Sequence, residues 1–234
     1  QGVEIVIVHG GGPQIGAALE SAGITTEFIG GFRVTTPEVF EIVERVLAKE
    51  IGPAVAQSLC SHGIKAVSIS GRDSGTLIAE KLNTLVDGSK ADLGLVGTVI
   101  EVNPQEIQML VTEGSVPVIS PVATDALGIH GFNVNADIAA AAIAGALEAQ
   151  WLIIMTDVEG IYRNWPDKGS LISEISVAEL QGIKSTFADG MAPKVQSCLD
   201  AIGAGAHAVR IIDGRNPEAL KSALLGVGGT LVFA

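Results

Sequence analysis

The stretch Val3–Val8 (VEIVIV) runs directly into His9–Pro13 (HGGGP), and this junction indicates the type of fold. A short apolar run rich in β-branched residues is typical of a buried strand. Consecutive glycines after a strand let backbone N–H groups approach an anion, and the helix that follows offers its N-terminus. No Gly-Lys-Ser/Thr follows, which excludes a Walker P-loop, and GGGP is not the G-x-G-x-x-G of dinucleotide sites. On this turn alone, a tight strand–helix connection and an anion site are equally good interpretations.

Strand-like and helix-like stretches alternate along the rest of the chain. The predicted strands are Ala66–Ser70, Val116–Pro121, Trp151–Thr156 and Ala208–Asp213, with a hairpin from Leu77–Leu85 and Val96–Val102. The predicted helices are Gln14–Ala22, Pro37–His62, Pro104–Glu113, Asp137–Ala149, Val177–Gln181, Lys194–Gly203 and Pro217–Leu225. This alternation predicts an α/β protein, a three-layer α/β/α fold with a mostly parallel central sheet. Ligands of such sheets bind at the carboxyl ends of the strands.

Composition excludes several classes of function. The 234 residues carry 14 basic and 26 acidic side chains, a net charge of −12, which argues against a nucleic acid partner. No signal peptide and no run of ~18 apolar residues is visible, so we expect no membrane association. Cys60 and Cys198 lie in apolar helical contexts, and we expect both to be reduced core residues of a cytoplasmic protein.

Polar residues occupy every second position of Asn133-Val134-Asn135-Ala136-Asp137, just before the apolar run Ile138–Leu147. An unpaired buried polar group costs roughly 1–3 kcal/mol, so these side chains are not packing residues. In an extended segment Asn133 and Asn135 point to one face, and Asp137 falls in the first turn of the following helix. One such residue alone would be interpreted as a helix N-cap. Since a cap needs only one residue, the stretch is interpreted as a site.

Three further motifs accompany these two: Gly30–Thr35 (GGFRVT), Thr156–Tyr162 (TDVEGIY) and Gly190–Val195 (GMAPKV). In this order, and across the whole chain, the motifs resemble those of the amino acid kinase superfamily, and within it those of the acetylglutamate kinase subfamily. The resemblance implies ATP-dependent phosphorylation of the side-chain carboxylate of N-acetyl-L-glutamate to an acyl phosphate, a step of arginine biosynthesis. It also implies two halves, with residues 1–140 binding the acyl acceptor and residues 141–234 binding the nucleotide.

The resemblance assigns roles to residues of the acceptor half. Gly10 and Gly11 would form a backbone cradle for the transferring phosphoryl group and the acceptor carboxylate. Arg33 would clamp the α-carboxylate of the substrate with two hydrogen bonds. Asn133 and Asn135 would hold the amide and α-carboxyl groups of the substrate.

The remaining roles concern phosphate and nucleotide. Lys194, at a helix N-terminus, would neutralise the phosphates, and Asp137 would orient lysines without touching the substrate. The nucleotide pocket would be lined by Thr156, Asp157, Gly160, Tyr162, Gly190, Met191 and Lys194. Mg²⁺ would be carried by ATP, with no metal held by the protein alone. A carboxylate is already deprotonated at pH 7, so His9 and His130 are not predicted to be catalytic.

One feature of the family is absent from the sequence. Relatives begin with a strand that carries Lys-x-Gly-Gly, whose lysine and glycines also grip the phosphates, whereas this sequence begins at what would be the second strand. We expect that this N-terminal strand has been omitted from the sequence. A chain that truly began at Gln1 would be expected to have weak or no kinase activity.

Two alternatives remain open from the sequence. One is a related kinase that acts on carrier-linked aminoadipate or glutamate. The other is a non-catalytic arginine-sensing domain, against which Asp137 and Lys194 argue, since a sensor needs no phosphate-handling residues. The resemblance makes arginine a candidate inhibitor, but the sequence itself does not indicate whether arginine inhibits this protein. The apolar stretch Pro37–His62 is interpreted as an interface of a homo-oligomer, a dimer or a multiple of dimers.

Overall fold

The computed structural model describes residues 3–85, 88–187 and 191–234. The chain divides into two compact units, residues 1–139 and 140–234. The strands are β1 (Ile7–Val8), β2 (Phe28–Ile29), β3 (Phe32–Arg33), β4 (Ala66–Ser70), β5 (Leu77–Lys81), β6 (Val96–Val102), β7 (Val116–Ser120), β8 (Val122–Thr124), β9 (Gly131–Val134), β10 (Leu152–Thr156), β11 (Glu174–Ser176), β12 (Ala208–Asp213) and β13 (Thr230–Phe233). The helices are α1 (Gly12–Ser21), α2 (Pro37–Glu44), α3 (Gly52–Ser61), α4 (Gln105–Thr112), α5 (Ala136–Ala146), α6 (Val177–Ile183), α7 (Ala192–Gly203) and α8 (Pro217–Leu224).

The first unit is built on a parallel sheet of order β1-β7-β4, against which α3 and α4 pack. A second layer of strands, β5, β6, β9 and β8, closes on itself as a small barrel, and β2 and β3 form a separate hairpin. The core beside α1 and α2 is made of Ile15, Leu19, Val39, Phe40, Val43, Val46, Leu47 and Val122. These residues recur at helical spacing, which explains why the helices bury one face.

The second unit has its own sheet, of order β10-β12-β13-β11. The pairs β10–β12 and β11–β13 are parallel, whereas β12–β13 is antiparallel. Its core includes Ile154, Leu180, Val195, Cys198, Ile211 and Val232, all of them buried. In β12 (AVRIID) the four central residues are buried, and they are apolar except for Arg210, as expected for a strand covered on both faces.

The α/β class and the predominance of parallel strand pairing are confirmed. The predicted first strand was too long, because only Ile7 and Val8 pair with β7, while Val3 and Ile5 remain exposed. The predicted helix Pro37–His62 is also interrupted, since a π-helical segment, Arg45–Ile51, joins α2 to α3. Pro53 in the first turn of α3 has no N–H to donate, which accounts for the break in the α-helical ladder.

The prediction that both cysteines lie in the core was half wrong. Cys198 is buried, but Cys60 is exposed at the end of α3, where its Sγ donates to Ala66 O at 3.6 Å. Both are thiols rather than half-cystines. Across the described ranges, no helix has both the length and the apolar character needed to cross a membrane.

Candidate active site

The glycine-rich turn lies at the carboxyl end of β1, where α1 begins at Gly12. The first backbone hydrogen bond of α1 runs from Ile15 N to Gly11 O at 2.9 Å, so the N–H groups before Ile15 precede the helical ladder. A Cβ atom on Gly11 would lie 2.5 Å from Ile51 Cδ1 and 2.8 Å from Leu47 Cδ2. A side chain at position 11 would therefore force Ile51 and Leu47 of the π-helical segment to shift. The turn exposes backbone donors suited to an anion.

The side chain of His9 supports the glycine-rich turn through a hydrogen bond to Gly10. Its ring is buried, and Nδ1 donates to Gly10 O at 3.0 Å, because a carbonyl oxygen only accepts. Burial lowers the pKa of His9 below its ordinary value, so the ring is neutral at pH 7. This is the environment of a structural histidine.

Arg33 reaches the same turn from the β2–β3 hairpin. Gly30 and Gly31 have φ of 57° and 84°, the left-handed conformation that a two-residue hairpin turn requires. The Arg33 guanidinium donates from Nη1 to Thr26 Oγ1 at 2.9 Å and from Nη2 to Gly12 O at 3.4 Å, and it lies 4.6 Å from the centre of the Phe28 ring. Burial lowers the pKa of Arg33, yet a guanidinium remains protonated at any physiological pH. Thr26 and Gly12 thus hold the edge of the Arg33 guanidinium by hydrogen bonds, and the Phe28 ring packs against one of its faces.

The two asparagines occupy the end of β9 and the start of α5. Asn135 Oδ1 accepts from Asp137 N at 2.8 Å and from Ile138 N at 3.3 Å, so Asn135 is the N-cap of α5 and its amide group remains as a donor. Asn133 Nδ2 donates to Thr35 Oγ1 at 3.1 Å. Asp137 lies in the first turn of α5, half-buried, as the sequence predicted.

These residues surround one cavity of about 230 Å³. It is lined by Gly10, Gly11, Gly12, Ile15, Phe28, Gly31, Phe32, Arg33, Leu47, Val96, Pro121, Asn133, Val134, Asn135 and Ala136. All of the residues predicted to bind the acceptor are in this set. Arg33 is the one charged side chain among the lining residues, and no carboxylate is among them. In a chain with a net charge of −12, this is a local site for a small anion.

In the second unit, the predicted nucleotide residues begin at the carboxyl end of β10. Thr156 Oγ1 donates to Asp157 Oδ1 at 3.1 Å, and Gly214 N donates to Thr156 O at 2.8 Å. Asp213 accepts two hydrogen bonds from the Arg215 side chain, at 2.9 and 3.0 Å, which hold its pKa below the ordinary value. The ends of β10 and β12 thus form one polar edge, as expected for parallel strands.

Gly160 and Tyr162 are tied to the core of the second unit. A Cβ atom on Gly160 would lie 2.4 Å from Thr230 Oγ1, so packing against β13 requires the glycine. Tyr162 is buried, and its hydroxyl donates to Glu159 Oε2 at 2.9 Å. Burial is the main cause that raises the pKa of Tyr162, and the Glu159 carboxylate is the second. Both residues have structural reasons to be present, whether or not they also contact a nucleotide.

Lys194 lies in the first turn of α7, half-buried, at the predicted helix N-terminus. Met191 immediately precedes α7 and packs against the core of the second unit. Gly190, the other residue predicted to line the nucleotide pocket here, lies outside the described residues. In the described part of the chain, no group of three or more His, Cys, Asp and Glu is placed to hold a metal ion.

The sequence interpretation missed several residues that the structure places at these sites. In the first unit they are Thr26, Phe28 and Thr35, and in the second Glu159 and Arg215. Gly30-Gly31 between Ile29 and Phe32 is a typical hairpin signal and would have placed Phe28 opposite Arg33. Asn133, whose side chain donates to Thr35, is distant from it in sequence, and no local pattern would have revealed this contact.

A second cavity in the first unit, of about 430 Å³, has none of the predicted substrate-binding or nucleotide-binding residues in its lining. Two of its three charged side chains, Arg72 and Asp125, have close protein partners. Arg72 pairs with Glu44 at 2.7 Å, and Asp125 accepts from His130 at 2.7 Å, which lowers the pKa of Asp125 to about 2.

Comparison with known proteins identifies the family of the chain. Residues 1–213 match the model of the amino acid kinase family. The chain belongs to this family. It is 47% identical over 224 residues to the acetylglutamate kinase of Arthrobacter sp. (strain FB24), covering 94% of this chain and 72% of that protein. Further curated relatives at 44–47% identity carry the same name, so the resemblance to acetylglutamate kinase is confirmed.

Solved structures show the same fold. A Streptococcus mutans UA159 protein, smu.665, has a TM-score of 0.82 and 28% identity, over 99% of this chain and 86% of that chain. The N-acetylglutamate synthase of Neisseria gonorrhoeae, complexed with coenzyme A and N-acetyl-glutamate, has a TM-score of 0.83 at 24% identity and is covered over 52% of its length. At that identity the synthase shows a shared fold only.

Proposed function

We propose that the protein transfers the terminal phosphoryl group of ATP to the side-chain carboxylate of N-acetyl-L-glutamate, as a step of arginine biosynthesis. The observation that carries this proposal is the cavity of the first unit, where Arg33 is the one charged side chain among lining residues that include no carboxylate. A kinase that phosphorylates a carboxylate must bring two anions together, which requires such a site. Membership of the amino acid kinase family and the similarity to acetylglutamate kinases support the choice of acceptor.

The acceptor would bind through both charge and hydrogen bonds. The Arg33 fork would take the α-carboxylate, because a guanidinium matches the two oxygens of a carboxylate. Asn133 and Asn135 would contact the amide and α-carboxyl groups, since both line the cavity at the end of β9. The N–H groups of Gly10 and Gly11 would face the side-chain carboxylate and the transferring phosphoryl group. A cavity of about 230 Å³ suits an acylated amino acid.

The nucleotide would bind to the second unit. Thr156, Asp157 and the neighbouring Asp213 present oxygen acceptors at the strand ends, which suit the hydroxyl and amino groups of a nucleoside. Lys194, in the first turn of α7, would neutralise the phosphates, and Asp137 would act as a positioning residue for phosphate-binding lysines. Mg²⁺ carried by ATP would supply further neutralisation of the phosphate oxygens. The side-chain carboxylate of the substrate would attack directly, with no proton to remove.

The test is to incubate the protein with ATP, Mg²⁺ and hydroxylamine, which converts an acyl phosphate to a coloured hydroxamate. N-Acetyl-L-glutamate should give hydroxamate, while L-glutamate and N-acetyl-L-aspartate should give far less. Failure of N-acetyl-L-glutamate, with turnover of a carrier-linked glutamate or aminoadipate, would favour the related kinase. Binding of arginine without binding of ATP would favour the sensor.

We also propose a cytoplasmic location and a homo-oligomer. The two thiols are what a reducing compartment favours. For the oligomer, the apolar residues of α2 and the π-helical segment have an internal explanation, because Val39, Phe40, Val43, Val46 and Leu47 pack in the core of the first unit. This internal packing weakens the sequence argument for an interface, so the homo-oligomer stays a proposal, and light scattering that shows a monomer would refute it. Inhibition by arginine stays a prediction to be tested in the same kinase assay.

A further inference from the structure

Thr35 connects the backbone of Arg33 to the side chain of Asn133 without lining the cavity of the first unit. It is fully buried, with 0% of its surface exposed. Its hydroxyl lies 2.8 Å from Arg33 O and 3.1 Å from Asn133 Nδ2. Arg33 and Asn133 are 100 residues apart in the chain, so this hydroxyl is a direct link between two separate parts of the site.

Hydrogen-bond chemistry fixes the direction of both bonds. A hydroxyl has one proton, and a backbone carbonyl only accepts, so the Thr35 proton goes to Arg33 O. The Thr35 oxygen can then only accept from Asn133, which requires that the nitrogen of the Asn133 carboxamide faces Thr35. The carboxamide oxygen consequently lies on the other side of the group. The Thr35 hydroxyl thereby selects one of the two orientations that the Asn133 side chain could take.

The backbone around Thr35 holds this geometry independently of the hydroxyl. Thr35 N donates to Leu93 O at 3.0 Å, and Leu95 N donates to Thr35 O at 2.7 Å. Asn133 N donates in turn to Leu95 O at 2.8 Å. Because these backbone bonds do not involve the hydroxyl, the frame should survive its removal, and the effect on the Asn133 side chain can be tested separately.

We propose that Thr35 is a positioning residue for the acceptor, holding Asn133 so that its carboxamide oxygen is presented to an N–H group of the ligand while Arg33 takes a carboxylate. This rests on the proposed function of the cavity. The chemical class that satisfies both groups is an N-acyl α-amino acid, which carries an amide N–H next to a carboxylate. An ester analogue in which oxygen replaces that N–H has no hydrogen to donate, and it would place two acceptors against each other.

The experiment measures binding of N-acetyl-L-glutamate and of its ester analogue, 2-acetoxyglutarate, by calorimetry to the full chain. Native protein should bind the amide about tenfold more tightly than the ester, the effect expected for one hydrogen bond. Thr35→Val, of similar shape but without the hydroxyl, should bind the amide about tenfold more weakly and lose most of the preference. Thr35→Ser, which keeps the hydroxyl, should stay within about twofold of the native protein for both ligands, and the KM for ATP should be unchanged in both variants.

The outcomes separate this inference from the proposed function. If the native chain does not bind N-acetyl-L-glutamate, the proposed function and this inference both fall. If the native chain binds it but Thr35→Val binds it equally well, only the role of Thr35 is overturned. A folded Thr35→Ser that binds as poorly as Thr35→Val would show that packing, not the hydroxyl, matters. Should Thr35→Val not fold, equal binding of amide and ester by the native chain would still overturn the inference.

Discussion

The two units carry polar sites of opposite character. The cavity of the first unit combines Arg33 with glycine N–H groups and two carboxamides, and no carboxylate lines it. The strand ends of the second unit present Asp157, Glu159 and Asp213, with Arg215 already bound to Asp213. The first site is suited to an anion, and the second to groups that donate hydrogen bonds.

This difference matters because the whole chain is strongly acidic, with a net charge of −12. Such a charge repels anionic substrates at long range, so binding must come from a few local donors. We propose that these donors are Arg33 and the turn at Gly10–Gly12 in the first unit, and Lys194 in the first turn of α7 in the second. The comparison predicts that substitutions in the two units affect different kinetic parameters.

The largest effect is expected at Lys194. Lys194→Ala should lower kcat by roughly 100- to 1,000-fold, because a cation that stabilises charge in the transition state is lost. Substrate KM values should change much less. Lys221→Ala is the control, since Lys221 is an exposed lysine paired with Glu218 at 2.7 Å, and its kcat should be nearly native. Equal kcat values for the two variants would remove Lys194 from the catalytic site.

Arg33 should show the complementary behaviour. Arg33→Ala should raise the KM for the acceptor about 100-fold, corresponding to about 3 kcal/mol for charge-assisted hydrogen bonds, with little change in the KM for ATP. Arg33→Lys should recover only part of the loss, because an ammonium lacks the fork. Arg45→Ala, which removes an exposed arginine paired with Glu50, is the control. A rise in the KM for ATP as large as that for the acceptor would contradict the division between the units.

Gly160 tests whether the motif Thr156–Tyr162 of the nucleotide half is structural. Gly160→Ala should destabilise the second unit by about 1–3 kcal/mol, because its Cβ would meet Thr230 Oγ1 at 2.4 Å. Gly182→Ala, in α6 with no atom within 4 Å of its Cβ, should be neutral or stabilising by about 0.5–1 kcal/mol.

The readout for this pair is urea unfolding followed by tryptophan fluorescence. Both tryptophans, Trp151 and Trp165, belong to the second unit, so the signal reports that unit. Equal urea midpoints for the two variants would show that Gly160 is not held by packing.

The smallest effect concerns Asp125, which lines the second cavity of the first unit, the one of about 430 Å³. Its pKa is lowered from 3.8 to about 2, chiefly by the hydrogen bond from His130. A lowered carboxyl pKa stabilises the fold above pH 3.8, and this stabilisation is lost as the pH falls towards 2. Asp125→Asn should therefore unfold more easily than the native chain at pH 5, and the two should converge at pH 2. Circular dichroism during urea unfolding measures this, and a constant difference across these pH values would contradict it.

The sequence predicted the fold well where strands were five or six residues long and rich in β-branched residues, as at Ala66–Ser70 and Ala208–Asp213. The resemblance of its motifs to those of the amino acid kinase family also predicted which residues would meet at the first cavity, namely Gly10, Gly11, Arg33, Asn133 and Asn135. It failed for short strands such as β2, β8 and β13, which are too brief for periodicity to detect.

The finer roles depended on contacts between distant residues. Asn135 alone serves as the cap of α5, while Asn133 is oriented by Thr35, a distinction that the repeated pattern does not contain. Gly160 was noted in the sequence as part of a family motif. Its packing against Thr230, which is 70 residues away in the chain, is seen only in the structure. Tertiary partners of this kind become visible only in the structure.

The most direct test of the account follows backbone amide chemical shifts of the ¹⁵N-labelled protein as N-acetyl-L-glutamate is added without nucleotide. The account predicts that the shifts concentrate at Gly10–Gly12, at the hairpin Phe28–Arg33 and at Phe132–Ala136. Shifts confined instead to Thr156–Tyr162 and Asp213–Arg215 would contradict it, because the acceptor would then bind at the acidic edge of the second unit.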